Sequence, residues 1–210
     1  IKHIYKPYNR NIHIIPNCHN DSVFKVENKL PFNKGTVRKG FKEPNKIMSY
    51  RGGASHEADM YQNINDIVDM INENQDWTFR FQGSRFKHIE ERTGKNHEYT
   101  NPTTLMQFYK EYHELNANIA FFPLLTNVFN VGKSNISLLE STYSGSAFMG
   151  CKNLPEFNYD FVIDLYDEDL LSFELVKDNF ELLERRNNEA WEWILENRLL
   201  SEVNKLRIER

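Results

Sequence analysis

The chain has 210 residues, of which 40% are hydrophobic and 27% charged, an ordinary globular balance for one substantial domain with a real core. A net charge of −4 and a pI near 6.0 exclude global attraction to nucleic acid or an acidic membrane surface, leaving open only a local basic groove. No apolar run approaches the roughly 18–20 residues that span a bilayer, and no signal peptide is expected. Only two cysteines occur, Cys18 and Cys151, with no CxxC spacing; the expectation is two reduced thiols in a cytoplasmic protein. Because the chain opens at Ile1 rather than Met, it is expected to be a fragment with residues missing upstream.

In chain order, Ile12-His-Ile-Ile15 reads as a short strand ended by Pro16-Asn17. Residues 18–45 are rich in Asn, Lys, Pro and Gly and read as a linker or an irregular entry into the main domain. Lys46–Tyr50 is a buried-strand candidate followed by Arg51-Gly52-Gly53. Met60, Ile64, Ile67, Val68 and Ile71 then recur on one face of a helix. Trp77–Phe81 alternates as a strand that stops at Gln82-Gly83, and a polar loop follows. Asn101-Pro102 supplies a cap and first-turn proline for a helix striped by Leu105, Phe108, Tyr109 and Tyr112. Asn118–Phe121 is an apolar strand, Ser134–Ser144 a helix, and Ala147–Met149 and Phe161–Asp164 two more strands. Asp167 begins a helical region, and Trp191, Leu195, Leu199, Val203 and Leu206 stripe a long C-terminal helix.

Strands alternating with helices predict an α/β fold, a Rossmann-like parallel sheet with helices on both faces. Ligands of such sheets bind beyond the carboxyl ends of the strands, here residues 51–56, 82–85, 124–135 and 151–157.

One segment, Pro123-Leu-Leu-Thr-Asn-Val-Phe-Asn-Val-Gly-Lys-Ser-Asn-Ile-Ser-Leu-Leu-Glu140, carries the most chemistry. A strand ends, a polar turn follows, and a helix starts near Ser134. First-turn amides lack internal partners and the helix dipole is positive there, so this end suits a phosphate, with Lys133 adding a full charge. Glu140 lies about two turns beyond Lys133 and can lie along the same side, where its carboxylate would accept from both ribose hydroxyls. The reading is a nucleotide-diphosphate site. The spacing is equally that of a helix capped by Ser134 or Asn135, with Lys133 and Glu140 merely solvated.

The same segment, followed by Gly145, resembles the donor-site signature of group 1 glycosyltransferases, of the form F-x-x-x-K-S-x-x-K-x-x-E and then Gly. Phe129, Lys133, Ser134, Glu140 and Gly145 match it position by position. Ser137 replaces the second lysine, and Gly132 stands where many members carry an earlier glutamate linked to the donor sugar. Retaining chemistry is therefore in question, and nucleotide binding less so. Tyr50-Arg-Gly-Gly-Ala-Ser-His-Glu-Ala-Asp59 resembles the family's first donor-domain loop, in which Gly52 and Gly53 would let amides approach a phosphate and Arg51 would add a fork of donors. His56 or Ser55 would cap the helix or face the sugar. His13–Asn17 resembles the hand-over from the acceptor domain, and Glu189–Asn197 the closing helix.

The resemblance implies the C-terminal half of a two-domain GT-B enzyme, cut off from most of its N-terminal, acceptor-binding half. Residues 1–45 would be the end of that N-terminal domain and the linker, 46–180 the donor-binding domain, and 181–210 the crossing helix. It implies transfer of a sugar from a nucleotide-diphosphate donor to an unknown acceptor (glycan, lipid, protein or modified base), with no cofactor or metal. Lys133, Arg51 and Glu140 would carry the diphosphate and ribose; Asn127, Phe129, Asn130, Ser134 and Asn135 would shape the pocket. The competing readings are a non-catalytic module of the same fold and a P-loop NTPase. For the latter, Asn127 stands where the P-loop pattern needs its first glycine, and Phe129 is bulky where that loop is small. His56-Glu57 is not a zinc motif, because Met60 takes the second histidine position.

Overall fold

The structure is a computed structural model that describes residue 7 and residues 15–34, 46–101, 104–167 and 170–208. The predicted strand at residues 12–15 and the 35–45 part of the linker lie almost wholly outside the described residues, as does Pro102.

Six strands form one parallel sheet: β1 (Ile47–Gly52), β2 (Thr78–Gly83), β3 (His97–Thr100), β4 (Ile119–Phe122), β5 (Ala147–Gly150) and β6 (Ile163–Asp164). Their order is β3-β2-β1-β4-β5-β6, and every pairing is parallel. This is the doubly wound order, with the chain reversing its direction of travel between β1 and β4. The five predicted strands that fall within the described residues are all present.

Period-two alternation along β1 sorts the two layers of helices. Met48 and Tyr50 face the core built by α1 (Glu57–Gln62), α2 (Ile64–Glu73) and α3 (Lys87–Arg92), through Met60, Ile67, Val68, Ile71 and Ile89. Ile47 instead clusters with Leu115 and Ala117, at the end of α4 (Leu105–Leu115). A one-turn α5 (Val128–Val131) follows β4, and α6 (Ile136–Tyr143) packs with a later helix against β5.

Several expectations are corrected. The single helix expected over Met60–Ile71 is two, broken at Asn63, whose side-chain amide donates to the Asp59 carbonyl. The polar loop after Gly83 contains α3 and edge strand β3. The cap of α4 is Thr104, whose hydroxyl accepts from the Gln107 amide. Asp167 does not begin a helix: β7 (Tyr166–Asp167) and β8 (Leu170–Leu171) pair antiparallel, and α7 (Phe173–Val176) comes after them. The long C-terminal helix is α8 (Phe180–Asn197), and a break at Arg198-Leu199 separates it from α9 (Leu200–Ile208).

Residues 15–34 run back across this body. The His19 amide donates to the Arg198 carbonyl, and the Leu200 amide donates to the His19 carbonyl. The fully buried Asn118 ties the Asn33 carbonyl to the start of β1, accepting from the Ile47 amide at 2.7 Å. Asn187 of α8 likewise joins Lys29 to the Thr142 and Ser146 carbonyls. The end of the linker and the closing helices are thus one packed unit with the sheet.

Candidate nucleotide site at the strand crossover

The crevice of a doubly wound sheet opens at the carboxyl ends of the strands where the order reverses. Here that point lies between the end of β1 and the loop after it, which carry Arg51–His56, and the loop after β4, which carries Asn127–Asn135.

The β4 loop is shaped from within. Asn127 caps α5, its side-chain oxygen accepting the Asn130 amide at 2.8 Å. The turn leaves Val128 81% and Phe129 64% exposed at the rim. Phe129 supports Lys133, whose Nζ lies 4.3 Å from the ring centre, a distance at which the ring quadrupole attracts the cation. Lys133 has no carboxylate partner among the described residues. Helix α6 begins at Ile136 rather than Ser134, so Ser134 is an exposed residue ahead of the helix and Asn135 is its cap position.

Asn135 makes no side-chain cap hydrogen bond. It is fully buried, and neither its amide nitrogen nor its oxygen has a partner. The Ser137 hydroxyl, in the first turn, is buried and unpartnered as well. Buried polar groups are almost always paired, so these atoms, beside amides with no partner inside the helix, are hydrogen-bonding capacity open to water or a polar ligand.

Arg51 and Glu140 do something the sequence did not foretell. Arg51 follows Ile47 and Ser49 on one face of β1, and its guanidinium pairs directly with the Glu140 carboxylate of α6. The guanidinium also lies 5.2 Å from the centre of the Phe108 ring and 6.0 Å from that of Tyr112, both on α4. Burial holds the Arg51 pKa below its ordinary value, and burial raises that of the Tyr112 hydroxyl. Glu140 is therefore placed beside Arg51, and Lys133 beside Phe129.

The β1 loop is joined to the β4 loop by a carboxylate that sequence reasoning missed. Asp59 is 5% exposed. It accepts from His56 Nδ1 at 3.0 Å, from the Leu125 amide at 3.0 Å and from Asn130 Nδ2 at 2.7 Å. His56 precedes α1 but makes no side-chain cap; it bonds Asp59 and packs edge-on against Phe122 at the end of β4. The signal available in the sequence was the His56-x-x-Asp59 spacing at a helix start, which brings the two onto one face. Ser55 is exposed.

The two glycines differ. A side-chain carbon at Gly52 would overlap the Tyr50 hydroxyl, whereas one at Gly53 would meet nothing within 4 Å. Among the described residues, no group of three or more His, Cys, Asp or Glu is placed to hold a metal. Neither Cys18 nor Cys151 forms a disulfide, and no described helix is long and apolar enough to cross a membrane. A wide surface concavity lined by Glu174, Leu175, Asp178, Asn179, Phe180 and Glu181 lies at the opposite end of the sheet, where Asp178 pairs with Lys46 just ahead of β1.

No protein-family model matches the chain, and no curated protein matches it by sequence. Solved structures do match. The crystal structure of the C-terminal domain of a glycosyl transferase group 1 family protein (LpcC) from Francisella tularensis is similar over 88% of this chain and 95% of its own, with a TM-score of 0.55 and 12% identity. The crystal structure of TarM is similar over 85% of this chain, with a TM-score of 0.55 and 14% identity. The chain spans only 37% of TarM. The fold is that of the C-terminal domain of a GT-B glycosyltransferase.

Proposed function

We propose that this chain is the donor-binding half of a glycosyltransferase, holding a nucleotide-diphosphate sugar between the β1 and β4 loops. The observation that carries this reading is the start of α6. There the buried, unpartnered Asn135 amide and Ser137 hydroxyl meet the free first-turn amides, next to a lysine with no acidic partner among the described residues. Donors gathered at a helix N-terminus are complementary to a phosphate group.

In the proposed reaction the bond between the sugar's anomeric carbon and the diphosphate oxygen breaks, and a bond from that carbon to a nucleophilic atom of the acceptor forms in its place. The leaving diphosphate gains negative charge, which Lys133 and the α6 amides stabilise from fixed positions. Glu140 holds the ribose. An ionised carboxylate has about four acceptor directions, so it can receive ribose hydroxyls while still paired with Arg51. Arg51 orients Glu140 and contributes positive potential to the crevice. Asn127, Asn130 and Phe129 fix the loop, and Gly52 and Gly53 let the β1 loop approach the ligand. The acceptor site and any general base are assigned to an upstream half, and Gly132 supplies no carboxylate to the sugar.

One observation favours a second reading, a non-catalytic module of this fold. Arg51 and Glu140 already neutralise each other, as they would in a crevice that binds nothing.

A thermal-shift screen against UDP, GDP, ADP, CMP and dTDP without added metal separates the two. A ligand at a hundred times its Kd stabilises the folded state by about 2.7 kcal/mol. The donor-site reading expects selective stabilisation by one diphosphate; silence from all five supports the non-catalytic module.

A further inference from the structure

Asp59 is buried, and three donors from three separate places converge on it: the His56 ring, the Leu125 amide and the Asn130 side chain. The orientation of the Asn130 amide is fixed, because its Nδ2 also donates to the Leu125 carbonyl at 2.9 Å and so faces two acceptors. A carboxylate oxygen accepts, so the hydrogen bond to Asp59 is made with a ring proton on Nδ1. The ring is held from a second side by Phe122, 5.1 Å away, leaving it little freedom to turn. Nε2 has no protein partner among the described residues.

We propose that Asp59 is a positioning residue that locks the His56 ring, so that Nε2, the nitrogen left without a protein partner, accepts a hydrogen bond from a hydroxyl of the donor sugar. This rests on the donor-site reading above. Phosphate oxygens are acceptors and repel a lone pair, whereas a sugar hydroxyl donates to one, so the locked ring selects the sugar over the diphosphate. Asp59 acts in two ways at once. It sets the ring nitrogen that meets the sugar, and through Leu125 and Asn130 it holds the loop that carries Lys133 at a fixed distance from that ring.

The test is a ratio of affinities measured by calorimetry: UDP against UDP-glucose and UDP-N-acetylglucosamine, GDP against GDP-mannose, ADP against ADP-glucose. The expected result is that one sugar nucleotide binds the unaltered chain about tenfold more tightly than its own diphosphate, the scale of one well-made hydrogen bond. In Asp59→Asn the ratio should fall close to one. Asparagine keeps an acceptor for Leu125 and Asn130 but turns an N–H toward Nδ1, which moves the ring proton to Nε2. Long-range proton–nitrogen NMR of His56 reads that proton transfer directly, and loss of packing alone would not produce it. His56→Phe keeps the ring and removes the acceptor, and gives the same ratio if Asp59→Asn does not fold. A sugar preference that survives these substitutions overturns the proposal. So does a ratio near one in the unaltered chain while Lys133→Ala still weakens diphosphate binding, a result that leaves the donor site standing. No binding of any pair overturns both.

Discussion

The Arg51 guanidinium and the Glu140 carboxylate pair across the crevice between β1 and α6, with the Phe108 and Tyr112 rings packed against the cation. Their side chains are 24% and 15% exposed. Removing one partner strands a partly desolvated charge, which costs about 2–4 kcal/mol at this degree of burial. Arg51→Ala is expected to lower unfolding stability by that amount, and Arg51→Ala/Glu140→Ala by less than the sum of the single changes. Urea denaturation of the three variants checks this; additive losses would mean that the pair is not coupled.

If Glu140 also receives the ribose, its contribution depends on the hydroxyls. The preferred nucleoside diphosphate should bind about tenfold more tightly than its 2′-deoxy form, the scale of a hydrogen bond to a charged group. Glu140→Ala should erase that difference and weaken the parent nucleotide. Calorimetry with the two nucleotides measures it, and a deoxy penalty that persists in Glu140→Ala would place the ribose elsewhere.

The glycines of the β1 and β2 ends separate stability from binding. Gly83 has φ +105°, in the left-handed region, and a side-chain carbon there would overlap the Gly52 carbonyl. Gly83→Ala should cost about 1–3 kcal/mol, and Gly52→Ala a similar amount, because Tyr50 is wedged among Phe81, Phe86 and Phe122 and cannot yield. Gly53→Ala meets open space and should leave stability within about 0.5 kcal/mol while reducing nucleotide affinity. Thermal melts with and without nucleotide distinguish the three; a Gly53→Ala chain that binds unchanged would remove that residue from the site.

His19 gives a pH signature. It packs against Tyr143, Trp191 and Phe24, with Nε2 at 2.7 Å from the Phe24 carbonyl, and burial holds its pKa below the ordinary histidine value. A lowered folded-state pKa means that the unfolded chain binds more protons, so the stability it contributes is complete above the unfolded value of about 6.5 and is lost as pH falls toward the folded one. The melting temperature should therefore drop between neutral pH and pH about 5 more steeply in the unaltered chain than in His19→Phe. Equal slopes would contradict the assignment.

The elements that periodicity revealed are those with a buried face. Met60, Ile67, Val68 and Ile71 announce α1 and α2, and Ile119–Phe122, buried on every residue, announces β4. The elements missed bury almost nothing. In α3 only Ile89 is buried, and β3 is an edge strand of His, Glu, Tyr and Thr paired on one side only. In the site, the sequence placed Lys133 and Asn135 at a helix start because caps and dipoles are local. The pairing of Arg51 with Glu140 and the reach of Asp59 to Leu125 and Asn130 depend on which strands are neighbours, and spacing along the chain does not carry that information.

The most direct test of the account is calorimetric titration of the stabilising diphosphate into the unaltered chain and into Lys133→Ala. Lys133 is the cation of the site with no acidic partner among the described residues, so its removal should weaken binding more than tenfold, about 1.4 kcal/mol or more, with the fold intact by circular dichroism. Binding that is unchanged in Lys133→Ala would contradict the assignment of the β4 loop and the start of α6 as the diphosphate site.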